Sequence, residues 1–242
     1  MTKILTLLYG GLSYAIGMGG LTFFILFVGG WSFMPIHVNS GVAGPMLPAL
    51  AVNCGLILLF GLQHSIMARP GFKKTWITIV PKAAERSTYV LISGVLMVFI
   101  ALNWQALEGT LWSVENTAGR TVLIIGYLAG WTIAVIATFL INHFELFGLQ
   151  QVWLHFKDKP EPPAHYTERF LYKVVRHPLQ LGILIGMWCL PTMSATSFCL
   201  AATMTVYIFV GLYFEEKDLE AELGDDYRDY KRRVRKIVPL PK

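Results

Sequence analysis

The sequence has little charge and few cysteines. Asp, Glu, Lys and Arg make up only 14% of its 242 residues, whereas hydrophobic residues make up 55%. A soluble domain carries about 25% charged residues, so this composition excludes an ordinary soluble domain and is typical of a polytopic membrane protein. The three cysteines lie in apolar runs and form no Cys-x-x-Cys pair. No zinc site, disulfide framework or other metal centre is therefore predicted.

Long apolar runs take the place of the missing charge. Crossing a bilayer takes about 20 apolar residues, and four runs qualify: Ile4 to Gly30, Met46 to Ser65, Tyr89 to Leu102 with its flanks, and Thr121 to Phe144. Two shorter apolar runs follow, separated by a Pro/Ser/Thr-rich break at 191–197. They predict a helical hairpin with arms of equal length, at about 179–193 and 197–215. The sequence thus predicts an all-α polytopic membrane bundle of about six spans, four plus this hairpin, in one domain over 1–242.

The basic residues predict the orientation of these spans. Of the 20 Lys and Arg residues, 19 fall at the termini or in alternate loops, and only Arg120 falls in the other loops. Positive residues mark cytoplasmic loops. We therefore predict an even number of spans in a bacterial inner membrane, with both termini cytoplasmic. This bias accounts for the net charge of +5, so no nucleic-acid partner is expected. The sequence does not indicate an oligomeric state.

The C-terminal tail is predicted to form one soluble helix from Asp218 to Arg235. Its acidic residues come first and its basic residues last, which suits the helix dipole. The basic end, from Lys231 to Lys236, would rest on anionic lipid head groups. The same helix could instead act as a lid.

The most informative segment is Tyr172-Lys-Val-Val-Arg176-His177-Pro178-Leu-Gln180-Leu-Gly182. Proline is favoured at the first position of a helix, and the free N–H groups of that helix attract an anion beside a cationic side chain. The hairpin would return this segment to the level of Glu215 and Glu216. A cation beside two carboxylates suits the zwitterionic head of an amino acid.

Three further polar clusters lie at predicted helix ends. They are Gln63-His64-Ser65, Glu85-Arg86-Ser87-Thr88-Tyr89 and Asn142-His143-Phe144-Glu145. Polar side chains at the end of a span are costly unless they face protein or a wet cavity. All four clusters are predicted at the cytoplasmic face, and such convergence indicates an active-site mouth.

These residues resemble those of a known family. The C-terminal half resembles the isoprenylcysteine carboxyl methyltransferase superfamily in Arg176-His177-Pro178, Gly182, Glu215-Glu216 and Gly224-Asp-Asp-Tyr227-x-x-Tyr230. Most of the chain resembles a narrower bacterial group in it, the methanethiol S-methyltransferases, through Gln63-His64-Ser65-x-Met67-Ala68-Arg69-Pro70, Glu85-Arg86-Ser87-Thr88-Tyr89-Val90-Leu91 and Phe139-Leu-Ile-Asn142-His143-Phe144-Glu145-Leu146-Phe147-Gly148. The resemblance implies a membrane enzyme that methylates a small thiol, with S-adenosylmethionine (SAM) held at the cytoplasmic face by residues 160–240.

The resemblance also implies which residues bind SAM. The expected cofactor contacts are Tyr172, Arg176, His177, Pro178, Gln180, Glu215 and Glu216, with His165 as a further candidate. The sequence departs from the family pattern at three positions. Ala164 takes the place of the family's upstream histidine, Gln180 replaces a tyrosine, and Gly211 replaces the arginine that serves a substrate carboxylate. The last change favours a small, neutral, volatile thiol such as methanethiol.

The thiol must lose its proton near neutral pH, because its own pKa lies above the roughly 8.5 of cysteine. His143 and His64 are the candidate bases, and Arg86 and Tyr89 could orient or stabilise the sulfur. Gln63, Ser65, Asn142 and Glu145 are the expected substrate-binding residues. We expect His143 to be the base, because Asn142 and Glu145 could fix its tautomer.

Two other functions fit the same residues. One is a lipid or other small-molecule N- or O-methyltransferase with the same cofactor site. The other belongs to a different class, a haem-binding or nitrogen-oxide-related membrane protein in which His64 and His143 are axial ligands.

Overall fold

A computed structural model of the chain describes residues 2–162 and 168–239. The described residues form ten α-helices, one 3-10 helix and two short strands. The helices are α1 (Lys3–Val28), α2 (Met46–Ala68), α3 (Pro70–Trp76), α4 (Lys82–Asn103), α5 (Thr117–Ile141), α6 (His143–Leu146), α7 (Leu149–Phe156), α8 (Pro178–Trp188), α9 (Ala195–Leu223) and α10 (Asp225–Arg233), and the 3-10 helix spans Phe170–Lys173. The strands β1 (Thr110–Ser113) and β2 (Thr192–Ser194) pair antiparallel. The predicted all-α membrane fold is confirmed.

Five of the described helices are long and apolar enough to cross a membrane, namely α1, α2, α4, α5 and α9. Four of them match the four predicted runs. The prediction of equal hairpin arms is wrong, since α8 has 11 residues and α9 has 29. At 1.5 Å per residue α8 is about 16 Å long, roughly half the thickness of the hydrocarbon core. The six residues 189–194 separate it from α9 and add up to about 20 Å if extended. The sixth crossing therefore stays a prediction.

The helices belong to two compact units. One contains α1 to α4, α6 and α7, and the other contains α5, α8 to α10 and both strands. Each unit contains a pair of helices in close backbone contact. A Cβ on Gly20 of α1 would lie 2.4 Å from the Gly94 carbonyl oxygen of α4, and one on Gly130 of α5 would lie 2.4 Å from the Gly186 nitrogen of α8. Small residues at such contacts are the usual solution within membranes, where van der Waals packing has to hold the helices together.

Ion pairs gather three segments at one end of the first unit. Lys3 Nζ lies 2.6 Å from an Asp158 carboxylate oxygen, and Lys82 Nζ lies 3.7 Å from Glu161. The N-terminus, the start of α4 and the chain after α7 thus lie at the same end. This agrees with the part of the predicted topology that puts these three segments on one side of the membrane.

The C-terminal tail differs from the prediction of one helix over 218–235. Helix α9 continues past the apolar run to Leu223, and Gly224, with φ of +61°, separates it from α10. The acidic start and basic end of α10 do suit its dipole. Four basic residues of the predicted lipid anchor form ion pairs with acidic side chains: Lys231, Arg232, Arg233 and Lys236.

Candidate active site

The first polar cluster surrounds the imidazole of His64 on α2. Its ring centroid lies 5.0 Å from that of Phe60, with 22° between the planes, and 4.8 Å from that of Tyr89 on α4. Phe60 and Tyr89 are both buried. The i, i+4 spacing of Phe60 and His64 puts them on one helix face. Two aromatic contacts therefore fix the position of the imidazole.

Hydrogen bonds complete the surroundings of this ring. His64 Nδ1 lies 3.1 Å from the hydroxyl of Ser93, which in turn lies 3.4 Å from Gln63 Oε1. Gln63 Nε2 donates to the thioether sulfur of Met67 at 3.1 Å. Gln63 thus lies in the cluster, as the sequence predicts. Among the described residues Ser65 makes no hydrogen bond to these groups, and its predicted contact with the substrate stays a prediction.

Arg86 joins this cluster to the segment that follows α5. Its guanidinium carbon lies 4.7 Å from the ring centroid of Tyr89, and its Nε donates to the Leu146 carbonyl at 2.7 Å. Phe147 packs against the same hydrophobic cluster as Tyr89 and lies 4.7 Å from the His143 ring. Three of the four predicted polar clusters therefore meet within the first unit.

His143 is buried and is held by a residue that the sequence did not single out. Tyr14 of α1 places its hydroxyl 2.8 Å from His143 Nε2. Burial lowers the pKa of His143, so its imidazole is neutral at neutral pH. The expected role of Asn142 and Glu145 in fixing its tautomer stays a prediction. Asn142 donates to Glu145 at 3.0 Å and to Gln150 at 2.7 Å, which secures the start of α6.

The second cluster forms around Arg176 and Glu216 in the other unit. Both side chains are buried, and Arg176 Nε and Nη2 donate to one Glu216 oxygen at 2.9 and 2.7 Å. Arg176 Nη1 also donates to the carbonyls of Lys231 and Val234. The predicted meeting of Arg176 with the Glu215-Glu216 pair is confirmed. Arg176 and Glu216 nevertheless bind each other and the tail, so this pair fixes the tail to the start of α8.

His177 lies between the two carboxylates. Its Nε2 is 3.1 Å from Glu216 and its Nδ1 is 4.0 Å from Glu215. The Glu215 side chain is 49% exposed, whereas that of Glu216 is 6% exposed. The ammonium groups of Lys231 and Lys236, each about one third exposed, lie 3.7 and 3.0 Å from Glu216. The Glu215 carboxylate and the two lysine ammonium groups are therefore partly exposed, and Lys231 also pairs with the one-third-exposed Glu220.

The remaining predicted cofactor residues lie near this cluster or outside the described chain. Burial raises the pKa of the Tyr172 phenol, with further contributions from Glu215 and Tyr230, so the phenol stays protonated. The carbonyl of Tyr172 accepts from the Tyr230 hydroxyl at 2.6 Å. Pro178 is the first residue of α8, and Gln180 is half-buried in its first turn. His165 lies outside the described residues.

The sequence analysis missed Ser93, Tyr14 and the two lysines of the tail. Ser93 carries a signal that helical spacing could have revealed, because Arg86, Tyr89 and Ser93 share one face of α4 at i, i+3 and i+7. A polar residue inside a span is itself unusual. For Tyr14 the sequence offers no comparable signal, since its partner His143 lies 129 positions away. Lys231 and Lys236 pair with Glu216 across the break at Gly224, which the prediction of one continuous tail helix did not include.

Fold and site together define a multi-pass helical membrane protein with two buried polar clusters. The family model described as NnrU protein matches residues 53–238. The methanethiol S-methyltransferase of Mycobacterium tuberculosis is 42% identical over 241 residues, covering 100% of this chain and 98% of that protein. The methanethiol S-methyltransferase of Pseudomonas deceptionensis is 39% identical over 237 residues, which cover 98% of this chain and 90% of that protein. Nurim of Sus scrofa is 27% identical over 72% of this chain and 69% of its own. No solved structure matches significantly.

The chain belongs to the NnrU protein family and, within it, to the family of the methanethiol S-methyltransferases.

Proposed function

We propose that this protein transfers a methyl group from SAM to methanethiol and releases dimethyl sulfide. The full-length similarity to enzymes named for this acceptor supports the proposal. The observation that carries it is a base and a cation in contact with one buried ring. Tyr89 contacts both the His64 imidazole and the Arg86 guanidinium.

A thiol needs both groups. The imidazole accepts the thiol proton, and the electron pair of the broken S–H bond stays on sulfur. The guanidinium then stabilises the thiolate by its charge. Among the described residues, Arg86 is held through Nε alone, and its two Nη groups have no protein acceptor. They are therefore available to a bound anion. The thiolate sulfur bonds to the methyl carbon as the bond from that carbon to the donor sulfur breaks, which yields a neutral thioether.

The second cluster contains the hydrogen-bonding and charged groups that could bind a zwitterionic methyl donor. Glu215 can accept from an ammonium group or ribose hydroxyls, and Lys231 and Lys236 can attract a carboxylate. Tyr172 stays protonated and can donate. When bound, SAM supplies a methyl group activated by its positive sulfur. Arg176 and Glu216 act indirectly, because they position His177 and the tail.

The alternatives receive less support. The chain is 36% to 42% identical to relatives named methanethiol S-methyltransferase, and that name specifies a thiol as the acceptor. A purified protein with a Soret band would favour the haem function.

The acceptor is tested with purified protein, SAM and methanethiol, with dimethyl sulfide measured by gas chromatography. Hydrogen sulfide and phosphatidylethanolamine serve as rival acceptors. We expect Arg86→Gln to lower turnover roughly 100-fold, the effect of removing a donor to a reacting anion. Arg120→Gln, which removes an exposed cation elsewhere, is the control. The proposal fails if wild-type protein forms no dimethyl sulfide, or if phosphatidylethanolamine is the preferred acceptor.

The donor site is tested by calorimetry with SAM. We expect Glu215→Gln to weaken binding at least tenfold, since a hydrogen bond to a charged group contributes about 1.5–3 kcal/mol. Glu222→Gln, on an exposed position of the same helix, should bind like wild type. Equal affinity in both variants would remove Glu215 from the donor site.

We further propose that both termini and these residues face the cytoplasm of a bacterial inner membrane. In a variant with the native cysteines replaced, Lys159→Cys should react with an impermeant thiol reagent only after the membrane is opened. Glu115→Cys should react in intact cells. Equal labelling of both would contradict this orientation.

A further inference from the structure

We propose that Ser93 is the positioning residue for the base of this reaction. Together with Gln63 it holds His64 as the Nδ1–H tautomer, so Nε2 is the nitrogen that takes the thiol proton. This inference rests on the proposed function. It assigns the base to His64, whereas the sequence favoured His143.

The first step concerns the direction of the Gln63 amide. Its nitrogen lies 3.1 Å from Met67 Sδ and its oxygen 3.4 Å from Ser93 Oγ. A thioether can only accept, so the NH2 group must face Met67. The amide oxygen then faces Ser93.

The second step concerns the single proton of the Ser93 hydroxyl. Ser93 is buried within α4, and its described partners are Gln63 Oε1 and His64 Nδ1. The amide oxygen cannot donate, so the hydroxyl proton points to it. Ser93 must then accept from His64, which places a proton on Nδ1. The hydrogen bonds run in one direction, from His64 through Ser93 and Gln63 to Met67.

The third step follows from the chemistry of imidazole. A neutral histidine has one donor and one acceptor nitrogen, so Nε2 carries the lone pair. The Phe60 and Tyr89 rings fix the orientation of the imidazole, and Ser93 selects which nitrogen is the base. When the thiol S–H bond breaks, the proton moves to Nε2, and Nδ1–H keeps its bond to Ser93. The charged group that faces the imidazole is Arg86 of α4, next to Tyr89.

The other candidate base, His143, is held differently. Its Nε2 is engaged with the Tyr14 hydroxyl, and Asn142 and Glu145 bind each other. A hydroxyl can donate or accept, so Tyr14 does not by itself select a tautomer.

The test compares Ser93→Ala and Ser93→Thr with wild type. Partners that orient metal-binding histidines contribute roughly 10- to 100-fold to activity, and we expect Ser93→Ala to lower kcat by a similar factor with an unchanged SAM Kd. The loss should shrink as the pH approaches the pKa of the thiol, because the thiolate then forms without a base. Ser93→Thr keeps the hydroxyl and should restore most of the activity. Thr203→Ala is the control, since that hydroxyl, also within a span, bonds only to carbonyls of its own helix.

A second readout does not depend on activity. Ring 15N shifts of labelled protein, with His64 assigned by its loss in His64→Gln, should show a protonated Nδ1 in wild type. Ser93→Ala should show a mixture of tautomers. A proton on Nε2 in wild type overturns the inference, as does full kcat in Ser93→Ala. Wild-type protein that methylates no thiol would instead fail the proposed function, whatever the tautomer.

Discussion

The two polar clusters use different physics. The first, around His64, consists of hydrogen bonds between uncharged groups and of stacked rings, and the charged residue Arg86 contacts its Tyr89 ring. The second consists mainly of charges, because Arg176, Lys231 and Lys236 lie within 4 Å of the Glu216 carboxylate, as does the His177 imidazole. A neutral network costs little to bury when every group has a partner, whereas a buried ion pair depends on both of its members.

This difference separates residues that stabilise the fold from residues that are proposed to contact ligands. Arg176 and Glu216 belong to the segments that the sequence analysis considered most informative. In the structure they mostly attach the tail to the start of α8. Backbone contacts show the same attachment. Val175 forms an isolated β-bridge with Arg235, and Arg176 N donates to the Arg235 carbonyl at 2.8 Å. The groups proposed to contact ligands lie at the edge of that cluster, and in the first cluster they lie beside the His64 imidazole.

The largest effect is expected from breaking the charged cluster at its centre. Glu216→Gln keeps the shape but leaves Arg176 as an uncompensated buried charge. Breaking a buried pair in this way costs roughly 3–5 kcal/mol. Thermal unfolding in detergent should show a large drop in Tm and poor recovery of protein from membranes. Glu222→Gln, on the same helix, should behave like wild type. A variant with normal Tm would mean that the tail is held by its backbone contacts instead.

The sequence predicted the fold well, because hydropathy marks spans by length alone. It failed where length is not the determinant. In the first arm of the hairpin the helix ends at Trp188, and the chain continues to strand β2. Pairing with β1 stabilises this strand, and an apolar run in the sequence does not indicate such pairing. The tail was predicted as one helix because its charges suit a dipole, but Gly224 takes a positive φ that breaks it.

For the candidate site, the sequence indicated which stretches lie close together but not which residues contact one another. The stretches 63–65, 85–89 and 142–145 do meet, because their polar groups end spans at one level. The contact of His143 with Tyr14 was not predicted, because the sequence analysis considered only the neighbours of His143 in the chain. Tyr14 lies 129 positions away, and sequence spacing carries no information on such a contact.

The next largest effect is expected from Gly148, whose backbone conformation supports the first cluster. Gly148 has φ of +86°, and a Cβ there would lie 2.8 Å from the Ser87 nitrogen. Gly148→Ala should destabilise by about 1–2 kcal/mol from the left-handed conformation alone, with the clash adding to it. It should also disturb activity, because the Leu146 carbonyl that binds Arg86 lies two residues away. Tm and turnover should fall together.

The control for this variant is Gly55→Ala. Gly55 lies within α2 and a Cβ there meets nothing within 4 Å. Alanine is the better helix former by about 1 kcal/mol, so Tm should stay equal or rise. If Gly148→Ala matched Gly55→Ala, the turn before α7 would be able to adapt, and the first cluster would be less rigid than its contacts indicate.

The smallest effect is expected in the pH dependence of protein stability, to which His143 should contribute. Burial lowers its pKa in the folded protein, whereas the unfolded chain keeps a value near 6.5. Below about pH 6.5 the unfolded state therefore binds more protons, and stability falls as the pH decreases. The contribution is fully present above that pH. Thermal unfolding at pH 8 and pH 5.5 should show a smaller Tm difference in His143→Gln than in wild type. His155→Gln removes an exposed imidazole of the same unit and should keep the wild-type difference. If His143→Gln kept it too, His143 would be protonated in the folded protein, and its bond to Tyr14 would have to be a donation from Nε2.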